Sequence, residues 1–127
     1  MDKAWQDVYD FHQKFGAPYE DKPRLLPVER VNARVLWMRE EIDEFIEAGT
    51  TEDQADAMID LIYFALGTLV EMGVRPGPLF DIVHTANMQK LWPDGKVHRN
   101  ADGKVIKSPE WRDPYPLLQE ELERQGN

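Results

Sequence analysis

The fourteen residues from Ala57 to Val70, AMIDLIYFALGTLV, contain a single charge, Asp60. An ionised carboxylate set among apolar side chains is poorly solvated, so it must be paired, protonated or bound to a cation. Upstream, the segment Arg39-Glu40-Glu41-Ile42-Asp43-Glu44 carries further carboxylates in an apolar frame. At about 100° per residue, Glu40, Glu41 and Glu44 share one arc of a helix, while Val31, Val35, Met38, Ile42 and Phe45 take the opposite arc. Asp53, Asp56 and Asp60 likewise share a face of the next helical segment. Two antiparallel helices with these faces opposed supply hard oxygen ligands of the kind that suits Mg²⁺ or Mn²⁺. Two other readings stay open: a Glu-rich segment is often a solvated helix face, and Asp60 can instead pair with Arg34 or Arg39.

The elements that must position these groups follow from periodicity. Trp5, Val8, Phe11 and Phe15 predict an amphipathic helix over 3–15, ending near Gly16. Pro18, Pro23 and Pro27 mark residues 17–27 as an ordered, proline-stiffened loop. A second helix is expected from 27 or 28 to 48, with Val31, Val35, Met38, Ile42, Phe45 and Ile46 on its apolar face and Gly49 beyond its end. Thr51 is the expected N-cap of a third helix over 52–73, closed by Gly73 and Pro76, and Pro78 opens a fourth that runs to about Leu91. After Trp92-Pro93 the helical period disappears, and Asp-Gly-Lys-Val occurs at 94–97 and again at 102–105, which predicts a small hairpin or paired turns. A short helix is expected over 114–125. The whole reads as one domain over 1–127, with a helical core over 3–91 and a basic, turn-rich tail over 92–113. The third helix is apolar nearly all round, which places it at a bundle centre or in a subunit interface and predicts a homodimer or higher oligomer.

Composition narrows the function classes. The chain has 127 residues, 42% hydrophobic and 31% charged, with a formal net charge of -9. That balance argues against binding a nucleic-acid backbone, and no apolar run is long enough to span a bilayer. The N-terminal residues lack the pattern of a signal peptide, so a cytoplasmic location is expected. With no cysteine, disulfides, cysteine-zinc sites and thiol nucleophiles are ruled out. Against the acidic total, Lys90, Lys96, Arg99, Lys104, Lys107 and Arg112 face only Asp94, Asp102 and Glu110 in the tail. A cationic tail on an acidic body can hold a polyphosphate whose other side meets a metal on carboxylates.

On these residues the sequence resembles the all-α nucleoside triphosphate pyrophosphohydrolases, the superfamily of MazG, the dimeric dUTPases and phosphoribosyl-ATP pyrophosphohydrolase. Its acidic pattern is Glu-x-x-Glu on one helix and Glu-x-x-Asp on the next. Glu41-Ile42-Asp43-Glu44, preceded by Glu40, matches the first half. The second half falls on Ala57-Met58-Ile59-Asp60, with Ala57 where the family has Glu and Asp56 as the candidate replacement. The likeness runs from about Phe11 to Pro114 and includes Gly67, Gly73, the segment His84-Thr85-Ala86-Asn87-Met88-Gln89-Lys90-Leu91 and the Asp-Gly-Lys turns followed by Lys107-Ser108-Pro109.

The resemblance implies a four- to five-helix MazG-like bundle completed by dimerisation, as a homodimer or dimer of dimers. It implies Mg²⁺-dependent hydrolysis of a nucleoside triphosphate or related nucleotide to the monophosphate and pyrophosphate, as nucleotide-pool housecleaning. Glu40, Glu41, Glu44, Asp56 and Asp60 become the expected metal ligands, with Glu40 or Glu41 accepting a proton from water. Asn87 and Lys90, expected on one face of the fourth helix, suit ribose or base edges and a phosphate; the alternative for them is a helix C-terminal cap. Lys104 and Lys107 are further phosphate candidates, and Trp37 can stack on a base or fill the core. His12, His84 and His98 show no metal-ligand spacing and default to structural roles. A non-catalytic acidic adaptor is the competing class. A di-iron carboxylate bundle fits less well, since it wants Glu-x-x-His on two helices and the chain offers Asp81-x-x-His84.

Overall fold

Five helices and one small hairpin make up the computed structural model, which describes residues 1–127. The helices are α1 (Asp2–Phe15), α2 (Val28–Glu47), α3 (Thr51–Met72), α4 (Pro76–Met88) and α5 (Tyr115–Gly126), and the hairpin pairs β1 (His98–Arg99) with β2 (Val105–Ile106). The all-α class expected from periodicity is the class observed, at 64% helix. No single helix is long and apolar enough to cross a membrane. Contacts divide the chain into two compact units, Met1–Pro76 and Gly77–Gln125.

In the first unit, α1 and α2 pack on α3. Trp5 and Val8 of α1 meet Leu66 and Val70 of α3 in a small apolar core flanked by Tyr9 and Leu69. The stripe on α1 does not continue through Phe11 and Phe15 as the spacing predicts. Phe15 is 72% exposed and stacks on Phe11, and the residue buried at that level is His12. Positions 5, 8 and 12 share a helix face, and His12 is tolerated inside because both ring nitrogens find partners, described below.

The apolar arc of α2 is the larger correction. Val31, Ile42, Phe45 and Ile46 are exposed, Ile46 to 73%, while Arg34 and Glu41 are buried and Trp37 is half-buried. Within the unit, α2 therefore turns its polar stripe toward α3 and leaves most of its apolar stripe outside, with Val35 and Met38 half-buried. Long amphipathic side chains can cover apolar area with their stems while their heads find ionic partners, and the partner for Arg34 stands on α3. The outer side of α3 is apolar too: Ile59, Ile62 and Tyr63 are all exposed.

Thr50, not Thr51, caps α3, its side chain accepting the Asp53 N–H at 3.1 Å. Thr50 has the extended backbone that an N-cap needs, and Thr51 begins the helix. At the other end the loop over 17–27 is ordered by direct hydrogen bonds to the last turn of α3, Glu20 N–H to Val70 O at 3.2 Å and Arg24 N–H to Met72 O at 2.8 Å. These satisfy carbonyls that a helix end leaves open. Gly73 closes α3 with φ of 69°, and a Cβ there would lie 2.2 Å from Lys22 O.

In the second unit, α4 begins at Pro76, two residues before the expected Pro78, because a proline at the first helical position has no N–H to leave unpaired. It stops at Met88, so Lys90 lies in a turn and not on the helix, its N–H donating to Asn87 O at 3.2 Å. The repeated Asp-Gly turns are both present, with Gly95 at φ 75° and Gly103 at φ 80°. The second of them joins the antiparallel strands, which pair His98 with Ile106 and Arg99 with Val105. Trp92 Nε1–H donates to Ile106 O at 2.9 Å, and His98 stacks on the Trp92 ring at 3.9 Å. Trp111 Nε1–H donates to Ala86 O at 2.7 Å and ties the tail to α4.

Gly73→Ala should destabilise the protein by more than the roughly 1–3 kcal/mol that a left-handed non-glycine residue costs, because the added Cβ also meets backbone. Urea unfolding of the two proteins measures this, and an unchanged midpoint would contradict the packing described.

Candidate metal centre

The antiparallel pair α2 and α3 has one register throughout. Arg34 lies against Gly67 and Glu71, the Trp37 and Phe64 ring centroids are 5.9 Å apart, and Glu41 meets Asp60. The carboxylate end of this ladder brings Glu41, Glu44 and Asp60 together, with one ligand oxygen from each lying within 4.8 Å of the others. Asp56 is exposed, yet its charge acts on both Glu41 and Asp60. Glu40 is exposed and stands outside the cluster of three. An open cleft of about 260 Å³ beside them is lined by Glu44, Glu47, Ala48, Asp53 and Asp56. Glu47 was not singled out from the sequence; its only signal is the three-residue step from Glu44.

Electrostatics single out Glu41. It is 9% exposed and its Oε2 is buried with no hydrogen-bond partner. Burial, then the hydrogen bond and negative charge of Glu44, then the charges of Asp60 and Asp56, push its carboxyl up to about 7. Asp60 is half-buried and also raised, by burial first and then by the charges of Asp56 and Glu44. Asp60 is thus unusual for the reason its sequence context indicates, but Glu41 is the more confined of the two. Arg34, which the sequence left open as a partner for Asp60, pairs with Glu71 instead.

Such a cluster fits a divalent cation. Three convergent carboxylates, one with an orphaned buried oxygen, form a hard, anionic donor set whose mutual repulsion a cation relieves. Ala57, where the resemblance expects Glu, is 1% exposed on α3. No carboxylate enters from that position, and Asp56 approaches from the outer side of the helix.

Trp37 is half-buried, with the Arg30 and Arg34 guanidiniums 5.5 and 5.1 Å from its ring centroid. Asn87, Lys90, Lys104 and Lys107 all belong to the second unit. There Asn87, Lys104 and Lys107 are exposed, and Lys107 Nζ sits 4.3 Å over the Trp111 ring.

Residues 8–87 match the family model described as phosphoribosyl-ATP pyrophosphohydrolase. The chain belongs to that family. The family is one of pyrophosphohydrolases, and the chain is accordingly a nucleotide pyrophosphohydrolase. A solved structure from Exiguobacterium sp. 255-15, described as a putative NTP pyrophosphohydrolase, is 32% identical in sequence and superposes with a TM-score of 0.55, covering 96% of this chain and 95% of its own. No curated protein matches at a significant level. The phosphoribosyl-ATP pyrophosphohydrolase match spans both acidic segments, Glu40–Glu44 and Asp56–Asp60.

The raised carboxyl has a consequence for the metal-free protein. Folding lifts the Glu41 pKa from its ordinary 4.5 to about 7, so its contribution to stability is fully present below 4.5 and is lost as pH rises through 7. His12, held below its ordinary value chiefly by burial, contributes in the opposite sense. Asp60, also raised, contributes in the same sense as Glu41; it and His12 are common to wild type and Glu41→Gln, so the difference between the two reports the Glu41 carboxyl together with its interaction with Glu44 and Asp60. With chelator present, the variant should melt above wild type at pH 8, and the gap should close by pH 5. Parallel melting curves across that range would assign the effect to other groups.

Proposed function

We propose that the protein hydrolyses a nucleoside triphosphate, or a related nucleotide, to the monophosphate and pyrophosphate with a divalent cation, Mg²⁺ or Mn²⁺, as cofactor. The observation that carries this reading is the convergence of Glu41, Glu44 and Asp60 with the buried, unpartnered Glu41 oxygen. These three would hold the cation, with Asp56 and Glu40 as outer carboxylates; when bound, it supplies neutralisation of phosphate charge and activation of the attacking water. The chain's own groups do the rest. Glu41, or Glu40 beside it, takes the proton as water adds to phosphorus and the anhydride P–O bond breaks. Pyrophosphate leaves and the monophosphate stays on the nucleoside. Lys90, Lys104 and Lys107 are proposed phosphate contacts, Asn87 a ribose or base contact, and Trp37 a stacking surface.

The exposed Ile42, Phe45 and Ile46 on α2 and Ile59, Ile62 and Tyr63 on α3 support a homodimer or dimer of dimers. Light scattering on the eluting protein should give at least twice the 14.8 kDa chain mass. A monomer at micromolar concentration would remove that part of the reading.

Activity is tested with a panel of ribo- and deoxyribonucleoside triphosphates and phosphoribosyl-ATP, with and without Mg²⁺, and with the products identified. Monophosphate plus pyrophosphate is expected, and Glu41→Gln and Asp60→Asn should each lower kcat by about 10²-fold or more. Turnover undiminished by chelator, or full activity in either variant, would sink the assignment. An acidic adaptor predicts no turnover of any nucleotide.

A further inference from the structure

The first unit holds a second cluster of buried charge that takes no part in the chemistry above. Glu71, its side chain 1% exposed, accepts from Arg30 Nε at 2.7 Å, from Arg30 Nη2 at 3.0 Å and from Arg34 Nε. The Arg34 side chain is 6% exposed and its Nη2 also donates to His12 Nε2 at 3.3 Å. His12 Nδ1–H donates in turn to Pro18 O at 2.7 Å, so the imidazole is neutral in a single tautomer. The guanidinium lies in a notch made by Gly67, where a Cβ would stand 2.7 Å from Arg34 Nη1 and 3.0 Å from His12 Nε2.

Fold stability alone accounts poorly for this arrangement, because well-packed apolar residues usually do as well as a buried ion pair. Direction is what apolar residues lack. Apolar contact is non-directional and lets helices slide, whereas the two-bond fork that Arg30 places on Glu71, with Arg34 Nε as a third donor, fixes both partners. A slip of one helical turn, about 5.4 Å, leaves at most one of Arg30 and Arg34 within reach of Glu71, so a buried charge loses its partner. The same slip parts Glu41 from Asp60, which lie on the same helix pair. Ligand constellations need placement to about 0.5 Å.

The geometry points to Arg30, forked on Glu71, and Arg34, seated between Glu71 and the Gly67 notch, as positioning residues that together lock the register of α2 against α3 and so hold Glu41 opposite Asp60. This rests on the metal-site reading for its catalytic consequence, but the register itself is measurable without metal. The chain has no cysteine, so nitroxides at Glu29→Cys and Glu52→Cys, both exposed, report the α2–α3 distance by pulsed electron resonance in protein spin-diluted with unlabelled chain. Arg30→Met, Arg34→Met and Glu71→Met combined in one variant remove both guanidiniums and the carboxylate at once, so no buried charge is left unpaired. Gly67→Ala fills the notch without removing any charge and serves as the second variant. Both should shift or broaden the distance distribution and raise the calorimetric Kd for Mn²⁺ at least tenfold. Val8→Ala, a core truncation, should lower Tm with distance and Mn²⁺ affinity unchanged. An unaltered distribution in both variants, or equal weakening of Mn²⁺ binding by Val8→Ala, overturns the lock. If wild type fails to bind Mn²⁺, the metal reading falls, and the distance measurement still decides the register.

Discussion

Charge taken out of water between α2 and α3 is the constraint on which the rest of the first unit depends. A buried ion must meet an opposite charge or surrender its own. One helix pair displays both solutions. At one end, burial pushes the Glu71 carboxyl up but the hydrogen bonds and charges of Arg30 and Arg34 outweigh it and hold the group below its usual range. At the other, Glu41 is buried and Asp60 half-buried among other carboxylates with no arginine or lysine paired to them, and both are pushed up. The compensated end is finished as folded. The uncompensated end is a cluster of like charges, and this asymmetry along a single register is what makes it a candidate centre.

Placing ions between the two helices determines where the apolar surface goes. With the polar stripe of α2 engaged on α3, most of its apolar stripe faces outward, and the outer side of α3 is apolar as well. The small core of Trp5, Val8, Leu66 and Val70 lies against α1 on the same arc of α3 as Ile59 and Tyr63, further along the helix. The helix α3 is thus used on two sides at once: an apolar arc that α1 covers at Leu66 and Val70 and leaves exposed at Ile59, Ile62 and Tyr63, and ion-lined packing against α2.

Much of the fold is legible in the pattern of residues. The five helices appear where periodicity and the Gly and Pro boundaries put them, and the repeated Asp-Gly marks the hairpin turn, because these are local preferences of backbone and side chain. Errors of one or two residues arise at caps such as Thr50 and Pro76, where adjacent Thr or Pro residues compete and only the folded backbone decides between them. Larger misplacements have a different origin. His12 in place of Phe11, and the outward apolar arc of α2, depend on partners distant in sequence: Pro18 and Arg34 for His12, Glu71 for Arg34. Glu71 itself lies one residue beyond the apolar run and carries no local sign of being the most confined carboxylate in the chain.

By itself the sequence determined the helical class, the family and the two acidic segments, since hydrophobic period and motif spacing are properties of the chain before it folds. Tertiary structure alone decided which acids meet. Helical phase puts Glu40, Glu41 and Glu44 on one arc, but the register set across α2 and α3 brings Glu41 and Glu44 to Asp60 and leaves Glu40 in water. Proton affinity follows from the same source: a carboxylate's pKa depends on solvent removed and on charges brought near, and both are products of packing.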